Sequence, residues 1–323
     1  MAIKYSSLEN HYREGTIERV RNMGLTARDQ AWVAREKLHG ANFSFVLKNN
    51  EINGHKGVSC EFHTRNTKLN LHDSFHGFLD IHKKYASRLR DIFLEIQSKY
   101  STPVQVQVFG ELIGPSVCKG LKVNYGPDND FAGFDIAVIF ENGDSVYLDD
   151  VFVDMLFTLS EIPTAPLLGT GTFDDLAKLP RNFKSKYLEV DGDNEAEGFV
   201  LKPVYPAHLP NGSRVIFKFK SDRFSERKQE KVKKAVPDMS EGDADKLMTM
   251  SAYINPGRID AVLSKEIFTI KDFGKVQGLV AKDALEDIEK DGLSFEFDDK
   301  KRVMKDFQAE VAKELRPIWS SLF

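Results

Sequence analysis

The sequence has little cysteine and no long apolar run, and both absences narrow the class of protein. Its 323 residues include two cysteines, Cys60 and Cys118, so we expect a reducing compartment and no disulfide framework. No apolar stretch approaches the roughly 18 residues of a membrane span, and the N-terminus has no apolar signal core. We therefore expect a soluble, intracellular and cytoplasmic protein without membrane contact, in the host cytoplasm if its source is viral. A monomer is the default expectation.

An excess of basic charge is also missing. The formal net charge is -4, which argues against a uniformly basic nucleic-acid binder. The segment from Arg214 to Lys234 differs, because it holds nine basic residues against three acidic ones. Such a segment suits a phosphate backbone, and a charged linker helix is the alternative explanation.

Two well-known site motifs are incomplete. Gly169-Thr170-Gly171 lacks the third glycine and the lysine of phosphate-binding loops, and no convincing strand precedes it. We predict that residues 163–195 are irregular and exposed. His72 and His76 have the spacing of a helical zinc chelate, but no further Cys or His at ligand spacing supports a zinc site.

What is present indicates an α+β protein with a helical end. Hydrophobic residues make up 41% and charged residues 29%, which is ordinary for a globular chain of one or two domains. Helical spacing covers residues 6–23 and 75–100, and Asp149 or Asp150 is placed to cap a further helix. Alternation predicts strands over 30–36, 43–47, 58–65, 104–109, 131–140, 195–203 and 214–220. Beyond Val236-Pro237-Asp238 the pattern is helical, so we predict domains over 1–236 and 237–323.

Lys37 occupies the most informative position. It ends the strand predicted over residues 30–36, and His39 and Gly40 break that strand before the next one begins. A lysine at a strand end beside a glycine turn can reach into a cleft while its backbone stays fixed. This is the position of a covalent lysine nucleophile, which acts through its neutral amine and needs cationic neighbours or desolvation. A surface lysine before a hairpin turn is the alternative.

Charged residues recur at the ends or faces of other strands. Lys218 and Lys220 share one face of an otherwise apolar strand, where they repel each other unless an anion lies between them. A solvated strand face is the alternative. Glu111 follows Gly110 where an alternating strand leads into Leu112-Ile113-Gly114, a position that packing explains poorly. Glu197 precedes Gly198 at the entrance to another strand.

The ordered set of these segments resembles the covalent nucleotidyltransferase superfamily of ligases and capping enzymes. It is most similar to the nick-sealing RNA ligases of the phage RNA ligase 2 type, over almost the whole chain. Asn66-Thr67 departs from the Thr-Gly that usually follows the arginine of the second motif. The motifs match, in order, Glu36-Lys37-Leu38-His39-Gly40, Arg65, Phe109-Gly110-Glu111, Phe134-Asp135-Ile136, Glu197-Gly198-Phe199-Val200-Leu201-Lys202 and Phe217-Lys218-Phe219-Lys220.

This resemblance implies a fold. A nucleotidyltransferase domain, similar to ATP-grasp domains and built from antiparallel sheets with flanking helices, should precede a small all-α domain that binds RNA ends. DNA ligases and capping enzymes continue instead into a β-rich OB domain, which the helical tail of this sequence does not resemble.

The resemblance also implies a three-step reaction with ATP. Lys37 would attack the α-phosphate to form a lysine–AMP phosphoramide, AMP would pass to an RNA 5′-phosphate, and a 3′-hydroxyl would then seal the strand. Lys218 and Lys220 would hold the α-phosphate, and His39 would assist pyrophosphate departure. A satisfied turn histidine is the alternative for His39. Glu197, with Glu111 as a second candidate, would bind Mg²⁺ or Mn²⁺.

Further residues are assigned to the nucleotide by the same resemblance. Phe134 would stack on adenine, although core packing is its alternative, and Glu36 would accept a hydrogen bond from the adenine amino group. Glu111 would bind the ribose or support the metal, and Arg65 would contact the ribose or an RNA phosphate. The remaining predicted nucleotide contacts are Leu38, Asn42 and Lys202.

The predicted substrate is a nicked RNA duplex, or an RNA–DNA hybrid, with 3′-hydroxyl and 5′-phosphate ends. A-form duplexes are recognised by shape and by 2′-hydroxyls rather than by base edges. Two alternatives stay open: a non-catalytic RNA-binding protein that has kept the fold, and a DNA ligase of unusual architecture.

Overall fold

The structure is a computed structural model that describes residues 2–52, 55–102, 104–117, 120–225, 239–319 and 322. The chain divides into two compact units, one of residues 1–118 and 122–221 and the other of residues 119–121 and 222–323. The predicted boundary at Val236-Pro237-Asp238 lies outside the described residues. In the part of the chain that is described, no helix has both the length and the apolar character needed to traverse a lipid bilayer.

A five-stranded sheet carries one half of the first unit. Its strand order is β1-β11-β10-β2-β9, and all neighbours are antiparallel except β1 and β11. Apolar side chains of one face, including Trp32 and Phe217, pack against Val20 and Phe173 from two flanking helices. The strands are β1 (Glu9–Asn10), β2 (Trp32–Glu36), β9 (Leu167–Gly171), β10 (Gly198–Pro203) and β11 (Phe217–Lys220), and the helices are α1 (Glu14–Asn22) and α4 (Phe173–Leu176).

A six-stranded antiparallel sheet carries the other half, in the order β5-β4-β3-β6-β7-β8. Its core is rich in aromatic rings, since Phe43, Phe45 and Phe131 pack together with Phe78 and Phe157 from two helices. The strands are β3 (Ala41–Ile52), β4 (His55–Thr64), β5 (Lys68–Leu69), β6 (Gln105–Ile113), β7 (Asp130–Ile139) and β8 (Ser145–Tyr147), and the helices are α2 (Phe78–Gln97) and α3 (Asp150–Leu159).

The second unit is helical. Buried residues such as Ile259, Val276 and Phe307 form its core. Arg258 is fully buried there, donating from Nε to the Tyr253 carbonyl at 2.7 Å and pairing with the carboxylates of Asp283 and Asp287. The helices are α5 (Glu241–Ser251), α6 (Pro256–Leu263), α7 (Phe273–Lys290) and α8 (Lys300–Trp319). This architecture confirms the predicted α+β class with antiparallel sheets and a helical C-terminal region.

Two local predictions were wrong at their boundaries. The helix expected from residue 6 begins at Glu14, because Glu9–Asn10 instead forms a strand whose backbone bonds to that of β11. Strand β3 continues to Ile52, beyond the end predicted at residue 47, because β4 pairs with it as far as Ile52. Asp149 caps α3 as predicted, accepting a hydrogen bond from the Phe152 amide.

The segment 163–195 was predicted to be irregular and exposed; this was wrong for residues 167–176, whereas most of residues 177–195 are irregular and at least partly exposed. Residues Leu167–Gly171 form β9, which pairs with β2, and Phe173 and Leu176 are buried beneath the sheet. The sequence signal is weak because β9 lies at a sheet edge and contains two glycines. Its pairing comes from β2 rather than from its own alternation.

Candidate active site

The turn from Lys37 to Gly40 crosses from one sheet of the first unit to the other. Lys37 follows β2 directly, and its backbone N–H donates to the Gly198 carbonyl at 2.8 Å. Gly40 lies so close to β6 that a Cβ at this position would come within 2.1 Å of the Leu112 carbonyl oxygen. The sequence therefore fixes the backbone of this turn while the Lys37 side chain projects from the strand end.

Three predicted site residues converge on the Glu197 carboxylate. Lys37 Nζ lies 2.7 Å and His39 Nδ1 3.3 Å from Oε2, and Lys220 Nζ lies 3.0 Å from Oε1. Burial by itself would raise the pKa of Glu197, but the Lys220 and Lys37 charges and the His39 hydrogen bond outweigh it and hold that pKa well below its usual range. Glu197 is therefore an ionised, buried carboxylate. We call these four residues the Glu197 cluster.

Gly198 makes this convergence sterically possible. Its φ is +134°, and a Cβ there would lie 1.9 Å from the Phe219 carbonyl oxygen. Only glycine allows β10 and β11 to approach so closely. In this register Gly198 is paired with Lys220, which places Glu197 beside the Lys220 amine.

A cavity opens next to the Glu197 cluster. It contains about 540 Å³ of space without protein atoms, part of which is open to solvent. Tyr5, Leu8 and Val200 form part of its apolar wall. Seven of the predicted site residues line it: Glu36, Lys37, Leu38, Asn42, Glu111, Phe134 and Lys202.

Glu111 lies within β6, rather than at a strand end, and faces this cavity while protein atoms surround it on most sides. Burial raises its pKa to about 8; the Lys37 charge opposes that rise and the Glu197 charge adds to it. Glu111 stays protonated beside the ionised Glu197, and a bound cation would favour the ionised form of both carboxyls. Among the described residues no group of three or more His, Cys, Asp or Glu side chains is placed to hold a metal ion. Mg²⁺ commonly binds one or two carboxylates and completes its shell with water and phosphate oxygens, so this pair fits it.

Two predicted residues belong neither to the cavity lining nor to the Glu197 cluster. Arg65 donates to the Ser7 hydroxyl at 2.8 Å. Lys218 is half-buried and pairs in register with Val200 on one side and Asn10 on the other. Of the basic segment, Arg214 is buried and therefore does not belong to a surface stripe, and residues 226–234 lie outside the described ranges.

A buried ionic network beneath the cavity was missed by the sequence analysis. The Asp135 carboxylate accepts from the Tyr5 hydroxyl at 2.6 Å, from Lys202 at 2.7 Å and from Arg214 at 2.8 Å. The Arg214 and Lys202 charges hold the pKa of Asp135 far below its usual range, although burial opposes them. The predicted nucleotide contact Lys202 is thus held by Asp135 and, at 3.1 Å, by Asp150.

The same network reaches β2, the strand that Lys37 follows. Arg35 Nη2 lies 2.7 Å from the Asp150 carboxylate and 2.8 Å from that of Asp154. A signal was available, because Arg35 and Lys37 are two residues apart in the predicted strand and the turn that follows it, and strand alternation would place them on one face. Nothing in the sequence indicated which carboxylates would meet Arg35.

Glu36 lines the cavity, but its carboxylate already has partners. Oε1 accepts from the Ser185 hydroxyl and Oε2 from the Lys186 amide, each at 2.6 Å. Burial raises the pKa of Glu36, and these hydrogen bonds oppose the rise. The predicted contact with adenine would require a further hydrogen bond to a carboxylate that can accept about four.

Comparison with known proteins yields two family matches. The RNA ligase family model matches residues 30–220, and the model described as T4 RNA ligase 2 C-terminal matches residues 238–313. The first covers more than half of the chain, and the two together include both units.

Similar solved structures include RNA ligases from two sources. Naegleria gruberi RNA ligase with PPi is 19% identical at a TM-score of 0.42, over 69% of this chain and 57% of that one. A mutant of the same protein with AMP and Mn is 18% identical at a TM-score of 0.44 over the same shares. An archaeal ATP-dependent RNA ligase is 12% identical at a TM-score of 0.44, over 99% of this chain and 65% of that one. This chain thus spans less than two thirds of those proteins, and the two family matches carry the assignment: the chain belongs to the RNA ligase family.

Proposed function

We propose that this protein is an ATP-dependent RNA ligase that seals breaks between 3′-hydroxyl and 5′-phosphate ends in duplex RNA or RNA–DNA hybrids. The observation that supports this most is the Glu197 cluster, in which Lys37 and His39 meet Lys220, from a distant part of the chain, on one buried carboxylate beside the cavity. Family membership supplies the reaction class, and the cluster supplies a nucleophile with charge around it.

The first step uses Lys37 as the nucleophile. Its neutral Nζ attacks the α-phosphorus of ATP, a P–N bond forms, the bond to the bridging oxygen breaks, and pyrophosphate leaves while the amine releases a proton. Lys220, 3.0 Å from Glu197, offers positive charge where the phosphoryl oxygens gain negative charge. Lys218 lies on the same strand face as Lys220, and His39 is assigned to the departing pyrophosphate.

AMP then moves from Lys37 to the RNA 5′-phosphate, and the 3′-hydroxyl displaces AMP in the last step. In the cavity, Phe134 supplies a ring for adenine, and Glu36, Leu38, Asn42, Glu111 and Lys202 line the remaining wall. Glu197 and Glu111 would hold Mg²⁺ or Mn²⁺, whose contribution is neutralisation of phosphoryl charge. Arg65, outside the cavity lining, is assigned to the ribose or to an RNA phosphate.

A labelling experiment tests the assignment. Wild-type protein incubated with α-labelled ATP and Mg²⁺ should acquire covalent AMP, and Lys37→Ala should lose at least about 10⁴-fold of that rate because no other group replaces the nucleophile. The Lys37→Ala protein should still seal pre-adenylated nicked RNA, since Lys37 takes no part in the final step.

Labelling, together with RNA binding and a comparison of sealing rates, separates the alternatives. Wild-type protein that takes no label but binds RNA would identify a non-catalytic binding module and overturn the proposal. Equal sealing rates on matched nicked RNA and nicked DNA duplexes would overturn the RNA preference while leaving the lysine chemistry intact.

A further inference from the structure

The nucleophile's turn is held at its far end by a tyrosine that the proposed reaction does not use. The backbone N–H of His39 donates to the Tyr125 hydroxyl at 2.8 Å. Tyr125 is buried, with 8% of its area exposed, and its ring packs edge-on against Tyr187. A buried backbone donor costs free energy when it loses its acceptor, so this hydroxyl fixes the peptide two residues beyond Lys37.

The segment that contains Tyr125 is hydrogen-bonded to a second loop, residues 185–194. The Asn124 amide donates to Asn194 Oδ1 at 2.7 Å, and Asn194 Nδ2 donates back to the Asn124 carbonyl at 3.0 Å. Asn194 is 4% exposed, and its own carbonyl accepts from the Ser185 amide at 2.8 Å. The pair of hydrogen bonds resembles a short strand pairing made by one side chain.

That second loop also forms hydrogen bonds with Glu36, which directly precedes the turn. Ser185 and Lys186 are the residues that donate to the two oxygens of the Glu36 carboxylate. The four residues from Glu36 to His39 are therefore held at both ends, by the Glu36 side chain and by the His39 backbone. Asn194 bonds both to Asn124, next to Tyr125, and to Ser185, which contacts Glu36. A displacement at one end of the turn would therefore be transmitted to the other end.

We propose that Tyr125 is a positioning residue for the lysine nucleophile, and that Asn194 supports it through its two hydrogen bonds to the Asn124 backbone. The inference rests on the proposed function. It assigns to Tyr125 the orientation of the turn that aims the Lys37 amine at the α-phosphorus. Because an in-line displacement depends on sub-ångström placement, loss of the Tyr125 hydroxyl should slow the steps in which Lys37 makes or breaks a bond to phosphorus. Sealing of pre-adenylated RNA involves no such bond and should be spared.

The test compares Tyr125→Phe with wild type at separate steps of the reaction. In single-turnover labelling with α-labelled ATP, the rate at saturating ATP should fall roughly 10- to 100-fold. The ATP concentration for half-maximal rate should change by less than about threefold, because the nucleotide cavity does not include Tyr125. Sealing of chemically pre-adenylated nicked RNA should stay within about twofold of wild type.

Matched variants complete the design. Tyr100→Phe removes a hydroxyl from a tyrosine of the same unit that packs against Phe140, and its labelling rate should equal that of wild type. Asn194→Ala should slow labelling like Tyr125→Phe, and the double variant should lose less than the product of the two effects because both act through one element.

Three results would overturn the inference. The first is unchanged labelling by Tyr125→Phe, and the second is an equal loss at labelling and at sealing together with a lower melting temperature, which would show a structural role. A wild-type protein that takes no label would overturn the proposed function itself, and this outcome is distinct because it needs no variant to be observed.

Discussion

Two regions of the first unit contain the same set of four side chains: one glutamate, two lysines and one histidine. In the Glu197 cluster, the carboxylate meets Lys37, Lys220 and His39. On the six-stranded sheet, the Glu61 carboxylate meets Lys48 at 2.6 Å, Lys68 at 3.1 Å and His63 at 3.7 Å. We call the second group the Glu61 cluster.

The two clusters differ in their exposure to solvent. The Glu197 side chain is 5% exposed and Lys220 8%, whereas Lys48 and Lys68 are 40% and 55% exposed. Water screens charges at the surface, so the Glu61 cluster contributes little to stability despite its short distances. In the buried Glu197 cluster the charges interact strongly because little water screens them. Glu111, a second carboxyl close to Glu197, stays protonated. The comparison shows that burial, rather than composition, distinguishes the electrostatics of the two clusters.

We expect the largest effect when the central glutamate of each cluster is replaced by glutamine in turn. Glu197→Gln keeps the shape of the side chain but removes the charge that would hold the divalent metal and that positions Lys37 and Lys220, so single-turnover lysine adenylylation should fall about 10³-fold. Glu61→Gln should label within about twofold of wild type, because water screens the exposed lysines. Comparable losses in both variants would show that the comparison is wrong.

Removing one lysine from each cluster should have a smaller effect. Lys220→Met takes away positive charge beside the reacting phosphate and should reduce the adenylylation rate about 10²-fold. Lys68→Met removes an exposed lysine from the Glu61 cluster and should leave that rate unchanged. Measuring both variants at low and high salt sharpens the contrast, since screening acts on the exposed cluster. An unaffected Lys220→Met enzyme would remove this lysine from the reaction.

The smallest expected effect is a change in the pH dependence of stability. Burial raises the pKa of Glu111 from its ordinary value of 4.5 to about 8, so the folded protein holds this proton more tightly than the unfolded chain does. The associated stability is complete below about pH 4.5 and is lost as the pH rises through about 8. Between about pH 6 and 8 the free energy of unfolding of the nucleotide-free protein should therefore fall by about 2 kcal/mol from this group.

Glu111→Gln provides the measurement for that expectation. The amide mimics the protonated carboxyl and does not titrate, so its denaturation curves should lack this part of the pH dependence. The comparison is made on urea unfolding at several pH values without ATP or divalent metal. Parallel pH profiles for the two proteins would show that Glu111 titrates normally.

The alternation of apolar and polar residues was sufficient to predict most strands and the change to a helical C-terminal unit. Motif order was sufficient to select Lys37, His39, Glu197 and Lys220, which the structure brings together. Strand β9 was missed because its pairing is supplied by a neighbouring strand distant in sequence. The partners of Arg35 and Lys202, and the contacts of Tyr125, depend on long-range packing and leave no local pattern.

The hydrogen bond from the Lys37 amide to the Gly198 carbonyl has a consequence for how a nucleotide could travel. This bond anchors the main chain at Lys37, so the four methylene groups of its side chain are the part that can move. In the proposed reaction, any excursion of an AMP attached to Lys37 would be limited to the sweep of that one side chain. The polynucleotide end would then have to come to Lys37, and its delivery would be a task for the rest of the molecule.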